Sequence, residues 1–584
     1  MKKVTLLLLF FISTNNSLAQ NLNVQQLWGS YYAPENSQTY GLKEDKFGNL
    51  YGFVIAYYYP DDYMNSFITE NAFYAFDQEE YSNTSLVFKL SPQGDVLWST
   101  FFPGTIMDIA FPADGQGVYF CGGGAYTDLI ASENAVFPNQ NEFGTDSYTK
   151  LHGFLAKFDT NGQKLWGTYL PPAYTLETDE SGYVYVSGIT YLPEIFSNED
   201  AFDPNFIFVY NTQHWTTNSY LLKMNPQGEL VWSTYYGLSQ ISDIAIKNNE
   251  LYVSGKGSNT SNYYATEDAF LSETGGMFLS KFNTDGQRIW STYYGENLMA
   301  FDNIRSIKIT PTNKILIAGI TSSSTGIATT GAFRENKAGN YDYFIAQFDI
   351  DGNREWGTYY GGNGHDENAD IFDIMDVNSN YIFACGSTKS SEGVATTNGL
   401  NTTITTINNN DAFINIFDYN GNRLWGSYYG GYGSEFNSGV LASIDGNSFY
   451  HYGTTTSPTG IATPNGAYPN FNYYVPPFGN TVWNSYIAKF STGTLSNPSF
   501  NTNEISLFPN PNNGSFTLSG SVLGKEIFEM QLYNMQGQQL VNRNLPLYEE
   551  QNFNFSSYLK SGIYILKLQS KEQKTQKEFK FIVK

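Results

Sequence analysis

The sequence predicts an all-β fold: seven four-stranded repeats arranged radially and closed by the N-terminal strand, followed by a small Ig-like β-sandwich. Three observations predict it. One Trp-centred motif recurs seven times at a nearly constant spacing. Each copy lies among short alternating strands and Gly turns, with no sustained 3.6-residue apolar period. The pattern then changes near residue 505. Composition agrees: 17% aromatic residues, with 46 Tyr, 44 Phe and 54 Gly, favour short strands and tight turns over helices. At 584 residues the chain is long enough for more than one domain.

The N-terminal end has the pattern of a secretory signal. Lys2 and Lys3 precede an apolar run from Val4 to Ile12, about nine residues against the roughly 20 that span a bilayer. Ser17-Leu18-Ala19 offers small residues for cleavage after Ala19, which makes residues 1–19 a signal peptide. No Cys follows the cut, which argues against a lipid anchor, and no later segment is apolar enough to span a membrane.

The repeat occupies residues 20–495. Its Trp motif reads LWGSYYA at Trp28, LWSTFFP at Trp98, LWGTYLP at Trp166, VWSTYYG at Trp232, IWSTYYG at Trp290, EWGTYYGG at Trp356 and LWGSYYGG at Trp425. The spacings are 70, 68, 66, 58, 66 and 69 residues. Every copy but the first follows an alternating strand and a turn, as in FLAKFDTNGQKLW ending at Trp166. In Asp159-Thr160-Asn161-Gly162 the Asp can bond the backbone ahead of it, and the Gly can take the positive φ that closes a hairpin. Such a turn supplies too few oxygens for calcium, which takes six to eight. Two more strands follow each Trp, a short apolar one such as 106–111 and one ending near Gly such as 183–188. A polar stretch with a small-polar-then-aromatic end comes next, at Phe73, Phe270 and Phe333.

Four strands per repeat, repeated radially, make a seven-bladed β-propeller. A single repeat cannot bury both faces, so neighbours must stack, with Trp and Tyr side chains between them. First strands are expected near residues 40, 106, 174, 241, 304, 371 and 438. The Trp28 strand has no hairpin partner before it, and the strand at 485–490 has no Trp strand after it. The N-terminal strand is therefore expected to complete the seventh blade. Cys121 and Cys385 fall at one strand position in blades two and six, so two buried thiols are expected rather than a disulfide.

The run of apolar strand, Asp-x-Asn-Gly, Leu-Trp-Gly-Thr-Tyr-Tyr-Gly-Gly and Tyr-Val-Ser-Gly-Ile-Thr resembles the bacterial seven-bladed β-propeller repeat family over roughly residues 21–495. That resemblance implies the fold and little about activity. Leu170-Pro171 and Phe102-Pro103 depart from the usual Tyr-Gly.

Residues 496–504 are expected to be a linker, and 505–584 a separate β-domain. Its Phe508-Pro509-Asn510-Pro511 opening, Tyr533-Asn534-Met535-Gln536-Gly537 hairpin, Ser561-Gly562-Ile563-Tyr564 strand start and Lys-rich end resemble the C-terminal sorting domain of type IX secretion in Bacteroidetes. The resemblance implies partnership with that secretion machinery, carried by Pro509, Asn510, Pro511, Gly537, Gly562 and Tyr564, and an extracellular or outer-surface location. An ordinary accessory binding module is the alternative.

Net charge is −24, concentrated in the propeller region, since residues 505–584 are net positive. That disfavours nucleic acid, because a strongly negative surface repels phosphate backbones. The four histidines, His152, His214, His365 and His451, form no metal-binding pair at helical or tight-turn spacing. No nucleophile elbow is evident, so no catalytic residue, metal or cofactor is assigned. His451 is expected to pack in a strand, and the carboxylate-rich loop 361–370, with His365-Asp366, to be a solvated turn. Asp108, Asp243 and Asp373 recur on first strands, where a structural role is expected. Three long aromatic loops, 57–67, 205–220 and 470–486, should emerge on one side of the ring. Tyr58, Tyr59, Trp215 and Trp483 are the candidate ligand-binding residues, suited to stacking on sugar rings or docking a protein.

The function expected is a non-enzymatic extracellular binding or adhesion protein with a glycan or protein ligand. A polysaccharide-active enzyme, or a quinone-dependent one suggested by the likeness of the Gly162-to-Trp166 hairpin to quinoprotein propellers, is the alternative. A structural role in the cell-surface matrix is the third.

Overall fold

The computed structural model describes residues 22–584 apart from 33, 35–36, 57–60, 77–83, 125–127, 140–151, 192–201, 208–216, 258–262, 274–275, 296–301, 365, 367–373, 406–408, 472–481, 494–504, 525–526, 536–537 and 571–575. The signal-peptide expectation and the whole of the expected linker, 496–504, therefore lie outside the described residues. The chain divides into two compact units, Met1–Thr492 and Gly493–Lys584. Both are all-β. Helix among the described residues is confined to the single turn Asp61–Met64 and two short 3-10 turns, Asn65–Phe67 and Ser521–Gly524. No helix among them is long and apolar enough to cross a membrane.

The N-terminal unit holds seven four-stranded antiparallel sheets. The first comprises Gln38–Glu44, Leu50–Ala56, Thr84–Leu90 and Val96–Phe102. The next five begin at Thr105–Ala110, Ala173–Thr178, Gln240–Lys247, Asn303–Ile309 and Met375–Val377. In the seventh, Glu435–Ala442, Ser448–Thr455 and Asn484–Ser491 are completed by Gln25–Tyr32 from the chain's start, with Gly29 opposite Ala488 and Tyr31 opposite Tyr486. First strands contact one another in sequence order, and that of the seventh sheet contacts that of the first.

The motif residues make the stacking. Asp159 Oδ1 accepts the amides of Asn161 and Gln163 at 2.8 and 2.9 Å, and Gly162 sits at φ +83°, so the carboxylate serves its own turn. The preceding sheet docks on that turn. Trp98 Nε1 donates to Thr160 O at 2.9 Å, Trp166 to Pro226 O at 3.1 Å, Trp232 to Thr284 O at 2.9 Å, Trp290 to Ile350 O at 3.0 Å and Trp356 to Tyr419 O at 3.2 Å. Buried lysines on third strands reach the same carbonyls: Lys89 to Thr160 O, Lys223 to Thr284 O and Lys281 to Ile350 O, at 3.3, 3.0 and 3.4 Å. Their ammonium groups lie over the rings of Tyr51, Tyr185 and Tyr252 at 5.0, 5.1 and 5.6 Å, where the negative face of each ring attracts the cation. Cys121 and Cys385 are buried thiols outside any disulfide, and burial pushes the Cys121 thiol well up.

In the C-terminal unit, a three-stranded sheet (Ser506–Phe508, Ser515–Ser519, Glu550–Asn554) and a four-stranded one (Gln539–Asn544, Phe528–Asn534, Gly562–Ser570, Gln576–Val583) share one core. Phe516 and Leu518 meet Met530, Leu532, Leu566, Leu568 and Phe581 there. Alternation places these residues inward, each buried apolar side chain contributing about 1.5–3 kcal/mol before entropy.

Candidate functional site

The seventh and first sheets meet at a cleft of about 310 Å3 lined by Tyr31, Phe67, Ala467, Tyr468, Pro469, Asn470 and Asn484. Each wall is fixed by its own backbone chemistry. Tyr31 N donates to Tyr468 O at 3.0 Å, and Tyr468 N donates to Ser30 Oγ at 2.8 Å, which ties the loop to the closing strand. The Tyr468 ring meets Tyr32 edge-on at 5.7 Å and stays 45% exposed. Behind it, Tyr31 packs edge-on against Phe471 at 5.4 Å and donates its hydroxyl to Ser457 O at 2.9 Å. On the opposite wall, Ser99 Oγ donates to Phe67 O at 2.7 Å, while Asn65 brackets Phe76 through its amide and carbonyl at 3.1 and 2.7 Å. The result is a shallow surface of aromatic rings and side-chain amides.

Of the four candidate aromatic residues, Tyr58, Tyr59 and Trp215 lie outside the described residues, as do His214 and His365. Trp483 is half-buried with its ring edge-on to Phe436 at 5.7 Å, and it does not line the cleft. The loops containing residues 57–67 and 470–486 do supply lining residues, Phe67, Asn470 and Asn484. Tyr468 was not singled out by sequence. It stands in the seventh repeat where Phe73, Phe270 and Phe333 carry the aromatic end of the polar stretch, and that alignment was the available signal.

First-strand aspartates bond the backbone of the next sheet. Asp108 Oδ2 accepts the amide of Leu176 at 3.0 Å and the hydroxyl of Thr175 at 3.1 Å. Asp243 Oδ2 accepts Ile307 N at 2.8 Å. Asp373 lies outside the described residues, and Ile374, whose carbonyl accepts Cys385 N, stands opposite Cys385 as Asp108 stands opposite Cys121. Among the described residues the recurrence holds at Asp108 and Asp243. In the sixth sheet Asp376 makes an inter-sheet bond, taking Ala442 N at 2.9 Å.

Within 361–370, where the sequence predicts a solvated turn, the described Asp366 is not solvated. Asp366 is buried, with Oδ1 accepting the hydroxyls of Thr388 and Ser390 and Oδ2 accepting Gly362 N. Burial pushes its carboxyl up to about 6 against those hydrogen bonds. His451 is likewise buried, between Tyr429 and Tyr486. Among the described residues no three His, Cys, Asp or Glu side chains converge as a metal site.

In the C-terminal unit, Asn510 acts as a strand edge. Its Nδ2 donates to Lys580 O at 3.0 Å and its Oδ1 accepts Ile582 N at 2.9 Å, while the neighbouring prolines have no N–H to compete. Tyr564 stacks on Phe581 at 5.8 Å and donates its hydroxyl to Lys560 O at 2.8 Å, and Gly562 opens that strand. Gly537 lies outside the described residues.

Residues 506–584 match the family described as Secretion system C-terminal sorting domain. No curated protein matches the chain. Similar solved structures include PorZ, described as an essential bacterial surface component of the type-IX secretion system of Porphyromonas gingivalis, at 9% identity and a TM-score of 0.18, covering 96% of this chain and 100% of that one. Two others are the phage phi92 endosialidase, at 9% identity, TM-score 0.25 and coverages of 96% and 87%, and a glycoside hydrolase family 32 protein from Bifidobacterium adolescentis, at 10% identity, TM-score 0.20 and coverages of 96% and 94%. At TM-scores this low, none bears on the chemistry here. The fold and its matched tail define a class, an all-β protein that carries a secretion-system sorting domain. The chain is accordingly a secreted or outer-surface protein.

Proposed function

We propose that this chain is a type IX secretion substrate whose N-terminal unit is a seven-bladed β-propeller that binds a glycan outside the cell. Seven four-stranded sheets, with first strands in cyclic contact and a seventh sheet completed by the N-terminal strand, support the propeller. Residues 1–19 serve as the signal peptide, 496–504 as the linker, and 505–584 engage the secretion machinery, with Asn510 and Tyr564 fixing the domain's edge.

The cleft of Tyr31, Phe67, Tyr468, Asn470 and Asn484 carries the binding assignment, because an exposed aromatic ring beside side-chain amides suits a sugar's apolar face and its hydroxyls. Binding without catalysis is favoured by the use of Asp108 and Asp243 in backbone bonds. The mature chain on a glycan array tests it. Specific hits weakened at least about tenfold by Tyr468→Ala or Asn470→Ala, a loss of roughly 1.4 kcal/mol, support the assignment. Hits indifferent to both substitutions, or no hits at all, refute it and direct the search to a protein ligand.

A further inference from the structure

Two acids meet where the sixth and seventh sheets join. Asp411 opens the sixth sheet's third strand, and Glu435 opens the seventh sheet's first strand, its amide donating to Asn410 O at 2.7 Å. Both are fully buried. Each has one oxygen committed: Asp411 Oδ2 accepts Thr405 N at 2.8 Å, and Glu435 Oε1 accepts the hydroxyls of Thr455 and Ser457 at 2.7 and 2.5 Å. Their other oxygens, Asp411 Oδ1 and Glu435 Oε2, are buried without a partner of hydrogen-bond geometry. Gly430 covers Oε2 so closely that a Cβ there would lie 2.0 Å from it.

The preceding junction is built differently. Asp366 has both oxygens bonded, and Asp342, which opens the fifth sheet's third strand as Asp411 opens the sixth's, has Arg334 and Lys337 to favour its charge. The groups facing Asp411 and Glu435 are each other, the hydroxyls of Thr405, Thr455 and Ser457, the Gly431 amide and the phenols of Tyr428, Tyr429 and Tyr486, with no cationic side chain acting on either acid among the described residues. An uncompensated pair of buried charges is far costlier than a buried acid that keeps its proton.

We propose that Glu435 keeps its proton on the folded chain beside Asp411, and that this proton closes the junction beside the groove formed by residues 400–405 and 430–432. That groove, about 580 Å3, lies directly above the pair and presents Tyr432 at 74% exposure. When the proton passes to solvent base, two carboxylates remain beneath Gly430 and Gly431, and their repulsion loosens the groove floor. Burial, with Asp411 nearby, pushes the Glu435 carboxyl up to about 7 against the pull of Ser457 and Thr455. A raised carboxyl pKa means stability fully present below the unfolded value and lost as pH rises through about 7. A calcium ion would need six to eight oxygens, and two free ones are on offer.

Hydrogen exchange of the mature full-length chain, corrected for intrinsic rates, tests this at about pH 5.5 and about pH 8.5. Peptides covering 401–405 and 430–435 should lose at least about tenfold protection at the higher pH, the equivalent of one pKa unit. Glu435→Gln, nearly isosteric and always neutral, should keep equal protection at both. Asp411→Asn should move the transition to lower pH by removing the like charge. A wild-type protection independent of pH overturns the proposal without any variant. So does a pH response surviving in Glu435→Gln. Protection at high pH restored by millimolar calcium in wild type but not in Glu435→Gln also overturns it, and assigns the pair to a cation.

Discussion

Trp98 and Gly162 sit in contact across successive sheets: a Cβ added to the glycine would lie 3.0 Å from the indole ring, whose Nε1 donates to Thr160 O two residues earlier. The same approach recurs at Gly228 on Trp166, Gly286 on Trp232, Gly352 on Trp290 and Gly421 on Trp356. The turn glycine is thus needed twice. It supplies the positive φ of its hairpin, and it lets the neighbouring sheet's indole approach the backbone.

Comparing two glycines separates these roles. Gly162→Ala should cost about 2–3 kcal/mol, combining the left-handed backbone penalty of about 1 kcal/mol with displacement of the indole and its hydrogen bond. Gly331, at φ +84° with no atom within 4 Å of an added Cβ, should lose only the backbone part when changed to Ala. Calorimetry of the mature chain checks the ranking, and equal decrements would remove the indole contact from the account.

Much of this was legible in the sequence, and the reason is that it is local. The Asp-to-Gly turns, the alternating strands and the missing partners at the two ends of the repeat are all visible within a few residues. The forward reach of Trp98 is not, because Thr160 lies 62 positions away and only stacking brings it close. Nor is the sixth first strand's inter-sheet bond legible, because Asp376, which takes Ala442 N, falls outside the spacing of Asp108 and Asp243. Exposure of aromatic residues was equally hidden. Trp483 is turned against Phe436, while Tyr468, in a shorter and blander stretch, is held at the surface by Ser30 and Tyr32.

Ring closure should depend on the residues just before the closing strand. No hairpin joins Asn484–Ser491 to Gln25–Tyr32, so Trp425 has no turn ahead of it to dock on. Its Nε1 donates to Asn398 O at 3.1 Å, Asn398 Nδ2 donates to Leu22 O at 3.0 Å, and Leu22 and Val24 join the indole's cluster. Leu22→Ala with Val24→Ala should cost about 2–5 kcal/mol from cavity and transfer terms. Leu27→Ala, at a side chain 45% exposed, should cost well under 1 kcal/mol, as surface changes do. Limited proteolysis near the N-terminus and calorimetry would show the contrast. Similar decrements at both places would mean that the closing strand is held by its hydrogen-bond ladder alone.

The same seventh sheet carries an acid-sensitive group. His451 stands opposite Ala488 in the strand pairing, with Nδ1 3.3 Å from the Tyr486 hydroxyl and Nε2 buried without a partner. Burial alone pulls its imidazolium down to about 3 from the usual 6.5. A folded pKa below the unfolded one means that the unfolded chain takes the proton first. Stability from the neutral imidazole is therefore complete above about pH 6.5 and is lost as pH falls toward about 3, by on the order of 3–5 kcal/mol over that span. His451→Phe keeps an aromatic ring between Tyr429 and Tyr486 and removes the titration, leaving the Tyr486 hydroxyl without its imidazole partner. It should be less stable than wild type near neutrality by about 1 kcal/mol and flatter in acid, so that the two stability curves cross near about pH 6. Parallel curves from neutrality down to about pH 4 would show that His451 takes its proton as readily in the folded chain as in the unfolded one, and would assign the acid response to other groups such as Asp349 and Glu250, whose hydrogen-bonded carboxyls are held below their usual range.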